Sequence, residues 1–186
     1  MKSLFLLRRA ANLAPLGLTL SPDGCGSADV SIIDCSSANS FSVLRSSAKR
    51  LTSSPALTRK TTPDDIVAEF ASFCFDASVI DLFAPLTAGA LLYIFPEDIR
   101  KDAVAVTKCI QDQKLTSVTF PTQMGELVAE LLEDAPHLKF VTLGGEKFKH
   151  YRNRTYQMIN GYGPTEDTVS STEFWVDKQY DNIPIG

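Results

Sequence analysis

Three stretches of this chain carry side chains that could do chemistry together. The densest is Asn160-Gly161-Tyr162-Gly163-Pro164-Thr165-Glu166, where an aromatic ring, a hydroxyl and a carboxylate lie a few residues apart. A ring can stack on a purine, a hydroxyl can bond a phosphate oxygen, and a carboxylate can hold Mg²⁺. Leu143-Gly144-Gly145-Glu146 joins two adjacent glycines to a carboxylate. Glycine lets a backbone pass close to a ligand that any side chain would block. Phe75-Asp76-Ala77-Ser78 puts a single carboxylate in apolar company, a costly place unless a cation meets it. Each stretch also has a plain structural reading. The first could be a tight turn whose polar groups cap backbone atoms, and Asp76 could be the N-cap of the helix that follows it.

The elements around these stretches are expected to bring them together. From Thr61 onward the sequence alternates strand and helix. Strands are predicted at 66–72, 90–95, 115–120, 138–143 and 156–159, with a further β-rich run at 169–176. The loop at 160–166 is expected between the last two runs, forced by two glycines and a proline. Helices are predicted at 78–86, with Val79, Leu82, Phe83 and Leu86 on one face, and at 99–114, with Val104, Thr107, Cys109 and Ile110 near one stripe. A third runs from Pro121 to about Asp134, with Met124, Leu127, Val128, Leu131 and Leu132 as its core face. Gly89 is expected to cap the first helix. This order argues an α/β fold with a parallel or mixed sheet flanked by helices. In such a sheet ligands bind beyond the carboxyl ends of the strands, and all three stretches follow strands. That shared placement favours binding over plain turns.

Residues 1–60 differ. They are rich in serine and scattered basic residues, show no sustained period, and read as a poorly ordered leader. A secretory signal is disfavoured because Arg8 and Arg9 interrupt the opening apolar run, and a mitochondrial presequence because the serine-rich part runs too long. No apolar run approaches the roughly 20 residues that a membrane helix needs. The net charge of −4 suggests no polyanion partner, so no nucleic acid is expected. The basic run 147–154 is read as solvated surface. Cys25, Cys35, Cys74 and Cys109 form no C-x-x-C pair and read as reduced thiols of a cytoplasmic protein, with Cys74 and Cys109 buried. Neither His137 nor His150 has ligand-spaced neighbours that would suggest zinc. No Gly-x-Ser-x-Gly elbow supports a hydrolase.

In order and spacing, Phe70 to Ser78, Gly89-Ala90, the Leu-Gly-Gly-Glu at 143–146, the Asn-Gly-Tyr-Gly-Pro-Thr-Glu at 160–166 and the closing Ile183-Pro184-Ile185-Gly186 resemble the adenylation domains of nonribosomal peptide synthetases, in the superfamily of AMP-dependent synthetases and ligases. The likeness covers about 61–186, as a partial adenylation (AMP-binding) domain from the large N-terminal region of such an enzyme, and not 1–60. It implies activation of an amino acid by ATP to an aminoacyl adenylate, with Mg²⁺, and transfer to phosphopantetheine on a separate peptidyl carrier protein. It implies that Gly144, Gly145, Glu146, Asn160, Gly161, Tyr162, Gly163 and Thr165 surround the nucleotide. Asn160 would meet the adenine amino group, Tyr162 would stack, Thr165 would approach the α-phosphate, and Glu166 would bind Mg²⁺, Thr165 and Glu166 being the catalytic pair. Asp76 would pair with the substrate ammonium. Ala77, Ile80, Thr119, Val141, Leu143, Gly161, Val169 and Ser170 would line the side-chain pocket, with Val118 the alternative to Thr119. That lining suits an apolar or lightly polar amino acid.

The likeness has gaps. The family's glycine-rich phosphate loop with its lysine has no counterpart ahead of Asp76, and the ribose-binding aspartate and distal catalytic lysine do not occur before Gly186. The expectation is an internal fragment that adenylates poorly alone, since charge-stabilising groups that act as a unit are not dispensable one by one. The alternatives are an acyl- or aryl-acid ligase of the same superfamily, which Asp76 disfavours, and a non-catalytic nucleotide-binding or interaction fragment.

Overall fold

The computed structural model of the chain describes residues 6–7, 61–167 and 169–185. The expected disorder of 1–60 lies outside these residues except at Leu6–Leu7. Among them is one mixed sheet of seven strands: β1 (Leu6–Leu7), β2 (Ile66–Glu69), β3 (Leu91–Ile94), β4 (Ser117–Pro121), β5 (Phe140–Gly144), β6 (Gln157–Tyr162) and β7 (Thr172–Val176). Their order is β1-β3-β2-β4-β5-β6-β7. The five central strands are parallel, and β1 and β7 run antiparallel at the edges. The α/β reading holds, with β6 and β7 paired as a hairpin across the 163–171 loop.

Three helices connect the parallel strands: α1 (Ala77–Ala88), α2 (Ala103–Asp112) and α3 (Thr122–Leu131). The chain moves from β2 outward to β3 and then back past β2 to β4. Crossovers of one hand therefore put α1 and α2 on opposite faces. Packing agrees. Ala68, Phe70, Val118, Phe120, Val141, Leu143 and Met158 share one core with Val106 and Ile110 of α2 and Val128, Ala129 and Leu132 at α3. Glu69, on the alternate face of β2, is near enough to Asp81 of α1 for that charge to act on it. Gly89 closes α1 in the left-handed conformation at φ 78, as expected of a C-cap glycine.

The helix faces depart from the predicted stripes. In α3 the buried positions are Thr122, Gly125, Val128 and Ala129, while Leu127 and Leu131 are exposed. The cause is Gly125: a Cβ there would lie 1.7 Å from Leu143 Cδ2, so the helix approaches the sheet along its smallest residue and its leucines turn outward. Pro121 ends β4 and precedes the helix rather than starting it. In α2, Asp102 caps by accepting the Val104 N–H at 2.9 Å, which moves the start from 99 to 103 and leaves Val104 exposed. In α1 the residues turned to the sheet are Ser78, Asp81 and Pro85, and Val79, Leu82, Phe83 and Leu86 are half-buried. Cys74 is exposed in the turn before α1, not buried, and Cys109 is half-buried with Sγ 2.9 Å from Tyr93 Oη.

The basic run 147–154 has a structural use. Arg154 Nε donates to Ala129 O at 2.8 Å, Arg152 pairs with Glu130 at 2.6 Å, and Glu126 Oε1 accepts the Lys149 and His150 N–H groups. These bonds bind the β5–β6 connection to α3.

At the amino ends of the strands, buried Asp65 ties three strands. Its carboxylate lies 2.7 Å from Lys139 Nζ and accepts from the Thr62 N–H and hydroxyl. Burial alone would raise this carboxyl, but Lys139, Thr62 and Thr116 outweigh burial and hold it below its ordinary 3.8. A carboxyl lower in the folded than in the unfolded chain adds stability above about pH 4, which drains away as pH falls further. Asp65→Asn should cost about 1–3 kcal/mol at pH 7 in urea unfolding. It should also flatten the fall of Tm between pH 4 and pH 2, and an unchanged acid limb would show that Asp65 does not carry it.

Candidate functional site

The parallel register brings the carboxyl ends of β4, β5 and β6 level: Pro121 stands opposite Gly144, and Gly144 opposite Gly161. The glycine pair is in close contact, since a Cβ on Gly144 would meet Gly161 O at 3.3 Å. Gly145 then turns away at φ 91 with open space beside it, a conformation that glycine adopts without strain. The first residue of α3 holds this turn, because Thr122 Oγ1 donates to Gly144 O at 3.2 Å or Glu146 O at 2.9 Å. Gln123 Nε2 donates to Glu146 Oε2 at 2.9 Å. Thr122 and Gln123 hold the turn of the candidate site and were not singled out from the sequence. Their signal was only their place just past a strand end.

The 160–166 stretch is not all loop. β6 runs on through Asn160, Gly161 and Tyr162, because β7 returns beside it as a hairpin and supplies ladder partners up to Thr172. The loop proper starts at Gly163 and closes where the Ser171 N–H donates to Tyr162 O at 2.9 Å. Within it, Thr165–Asp167 form a 3-10 turn that exposes Thr165 and Glu166. Tyr162 is half-exposed at the lip. Asn160 is buried at 1% exposure, with Nδ2 donating to Pro184 O at 2.7 Å. Val169 sits at φ 75, strained for a β-branched residue. Its carbonyl oxygen would lie 2.1 Å from a Cβ on Gly163, so only glycine lets the loop fold back here.

Asp76 occupies the N-cap place of α1, yet its side chain makes no capping hydrogen bond. The cap reading therefore does not account for it. The turn before it is shaped by the Phe75 N–H donating to Ser72 O at 2.8 Å and by Ser78 Oγ donating to Phe75 O at 2.7 Å. Phe73 and Phe75 are exposed beside it.

The expected pocket residues separate by sheet face. Thr119 pairs in register with Thr142 and lies on the α1 face, together with Gly161, whose Cβ would meet Thr142 Cγ2 at 3.4 Å. Ala77 and Ile80 are half-buried at the start of α1, and Val169 and Ser170 are half-buried in the 163–171 loop. Val141 and Leu143 have no exposed surface and pack in the core under α3. Val118 belongs to that same core, whereas Thr119 lies on the α1 face of β4.

The family model described as AMP-binding enzyme matches residues 41–186. The chain belongs to this family. The match starts ahead of Thr61, where the likeness was expected to begin. Bacitracin synthase 1 of Bacillus licheniformis is 38% identical over 117 residues, which are 63% of this chain and 2% of that protein. Surfactin synthase subunit 2 of Bacillus subtilis (strain 168) is 34% identical over 125 residues, 67% of this chain and 3% of that protein. The chain thus spans a few hundredths of the length of these synthases. Among solved structures, the Vibrio cholerae adenylation domain AlmE in complex with glycyl-adenosine-5'-phosphate superposes with a TM-score of 0.64 at 24% identity, covering 78% of this chain and 29% of that one. That likeness establishes the fold.

The Gly163–Val169 contact gives a direct test. Gly163→Ala forces a methyl group against backbone that cannot rotate aside. It should cost about 1–3 kcal/mol in chemical unfolding. It should also speed amide exchange across 163–171 while leaving 117–121 protected. Unchanged exchange in that loop would mean that the close approach is not real.

Proposed function

We propose that this chain is the part of an amino-acid-activating adenylation domain that holds the aminoacyl adenylate. The observation that carries the reading is the level edge of β4, β5 and β6, which sets the Gly144-Gly145 turn beside Tyr162 and the exposed Thr165-Glu166 turn. Glycine backbone on one side and a ring on the other suit the flat faces of adenine. Asn160 Nδ2 donates to Pro184 O, and its side-chain carbonyl would accept from the adenine amino group. Thr165 and Glu166 would face the phosphate, with Glu166 the carboxylate for Mg²⁺, which prefers oxygen ligands and keeps several waters. ATP would supply the adenylate. The acceptor in this reading is phosphopantetheine on a peptidyl carrier protein, and the setting is the cytoplasm.

Asp76 would pair with the substrate ammonium, a role supported by its lack of a capping bond. Ala77, Ile80, Thr119, Gly161, Val169 and Ser170 would shape the side-chain pocket from the α1 face and the loop. Val141 and Leu143 would act on its shape from beneath the sheet. With no charged group in that set, the side chain taken would be apolar or lightly polar.

The test is calorimetric binding of two non-hydrolysable adenylate mimics, one from an apolar amino acid and one from the same acid without its amino group. The amino compound should bind at least about tenfold more tightly, and Asp76→Asn should erase the difference. Equal binding of the two by the unaltered chain would favour an acyl- or aryl-acid ligase. Binding of neither would favour a non-catalytic fragment.

A further inference from the structure

Directly beneath the turn that carries Asp76 are two acids with no obvious part in binding a substrate. Glu69 ends β2 with no exposed surface, and neither carboxyl oxygen has a hydrogen-bond partner. Asp81 of α1 is 3% exposed, and its Oδ2 accepts the Phe70 N–H at 3.5 Å. Among the described residues, Arg100, in the turn after β3, is the cation whose charge bears on Glu69, and its hydrogen bonds go elsewhere. Its Nε donates to Phe95 O at 3.0 Å and its Nη1 to Ala71 O at 3.2 Å, with Glu97 at 4.0 Å. On the face of the sheet that Glu69 occupies, the neighbouring strands offer nothing else that titrates: β3 presents Ile94 opposite it, β4 presents Thr119 at the next register place, and Tyr93 of β3 lies in the core on the other face. Ser78, which also faces the sheet from α1, gives its hydroxyl to Phe75 O.

Two carboxylates cannot both ionise in such a place without a large electrostatic cost. We infer that Glu69 and Asp81 form a proton-holding latch: one retained proton lets α1 seat on the end of β2 and fixes the 70–76 turn, and loss of that proton releases the turn. Burial first, then the Asp81 charge, push the Glu69 carboxyl up to about 8, with Arg100 opposing. In the open state, wetted, Glu69 would return toward its ordinary 4.5. The closed form then binds one more proton than the open form across that interval. Opening must therefore rise with pH up to about 8 and level off above it. The turn carries Asp76, so the latch would set the geometry of the ammonium site, but the latch belongs to this chain's own fold and stands whether or not Asp76 meets an amino group.

The experiment is hydrogen exchange by mass spectrometry on the whole chain from pH 5.5 to 8.5. Exchange at 70–76, corrected for intrinsic rates, is divided by that at 140–144 in the same molecule, which removes global unfolding. The ratio should climb by up to about tenfold per pH unit between pH 5.5 and 7.5 and then flatten near pH 8. Glu69→Gln, which keeps the shape and cannot ionise, should hold the ratio low and flat. Asp81→Asn removes the neighbouring charge, so the curve should flatten at lower pH with a smaller total rise. A ratio independent of pH in the unaltered chain would overturn the latch. So would a Glu69→Gln curve that climbs as steeply, or an Asp81→Asn curve that flattens at the same pH.

Discussion

Parallel pairing is the constraint on which this structure depends. Parallel strands cannot be joined by a tight turn, so each pair needs a crossover long enough to return to the starting edge. The chain therefore exits from the same edge of the sheet after β2, β3, β4, β5 and β6. The stretches that follow those strands, from Asp76 to Glu166, thus lie at that edge. Side-chain chemistry then refines the edge. Thr122 ties down the 144–146 turn, Gly163 admits the Val169 backbone, and the hairpin partner β7 extends β6 as far as Tyr162.

The opposite edge carries the ties that keep the strands in register. Asp65, Lys139, Thr62 and Thr116 join the starts of β2, β4 and β5 through charged and neutral hydrogen bonds. Thr116 Oγ1 accepts the Ile66 N–H at 3.0 Å. This division, with stabilising bonds at one edge and exposed polar groups at the other, is the one expected of a sheet that binds ligands beyond its carboxyl ends. Glu69 breaks it, since its carboxyl has no hydrogen-bond partner near the carboxyl ends of the strands, where a neutral residue would be cheaper.

Much of this was legible in the sequence, because composition and periodicity report burial. The apolar run at 90–95 holds the strand Leu91–Ile94, and the strands expected at 115–120 and 138–143 exist but lie at Ser117–Pro121 and Phe140–Gly144. Gly89 ends its helix as a C-cap glycine should. What failed was the facing of helices and the end of β6. Leucine periodicity marked Leu127 and Leu131 as core, but the sheet meets α3 along Gly125, and a missing side chain leaves no trace in an apolar stripe. Asn160 and Gly161 read as loop because turn residues are counted locally, whereas their pairing with Phe174 and Glu173 is a tertiary fact. Of the candidate site, the residues and their order were visible. The face of the sheet on which each lies was not, and it separates Thr119 from Val141 and Leu143.

The central claim is that the three strand-end stretches form one site. The most direct measurement is the hydrogen-exchange footprint of a non-hydrolysable aminoacyl-adenylate mimic on this chain. Protection should appear together at 72–78, 143–146 and 160–166, with 126–131 on the outer face of α3 unchanged. Protection of only one of the three stretches, or protection centred away from the carboxyl ends of the strands, would contradict the account.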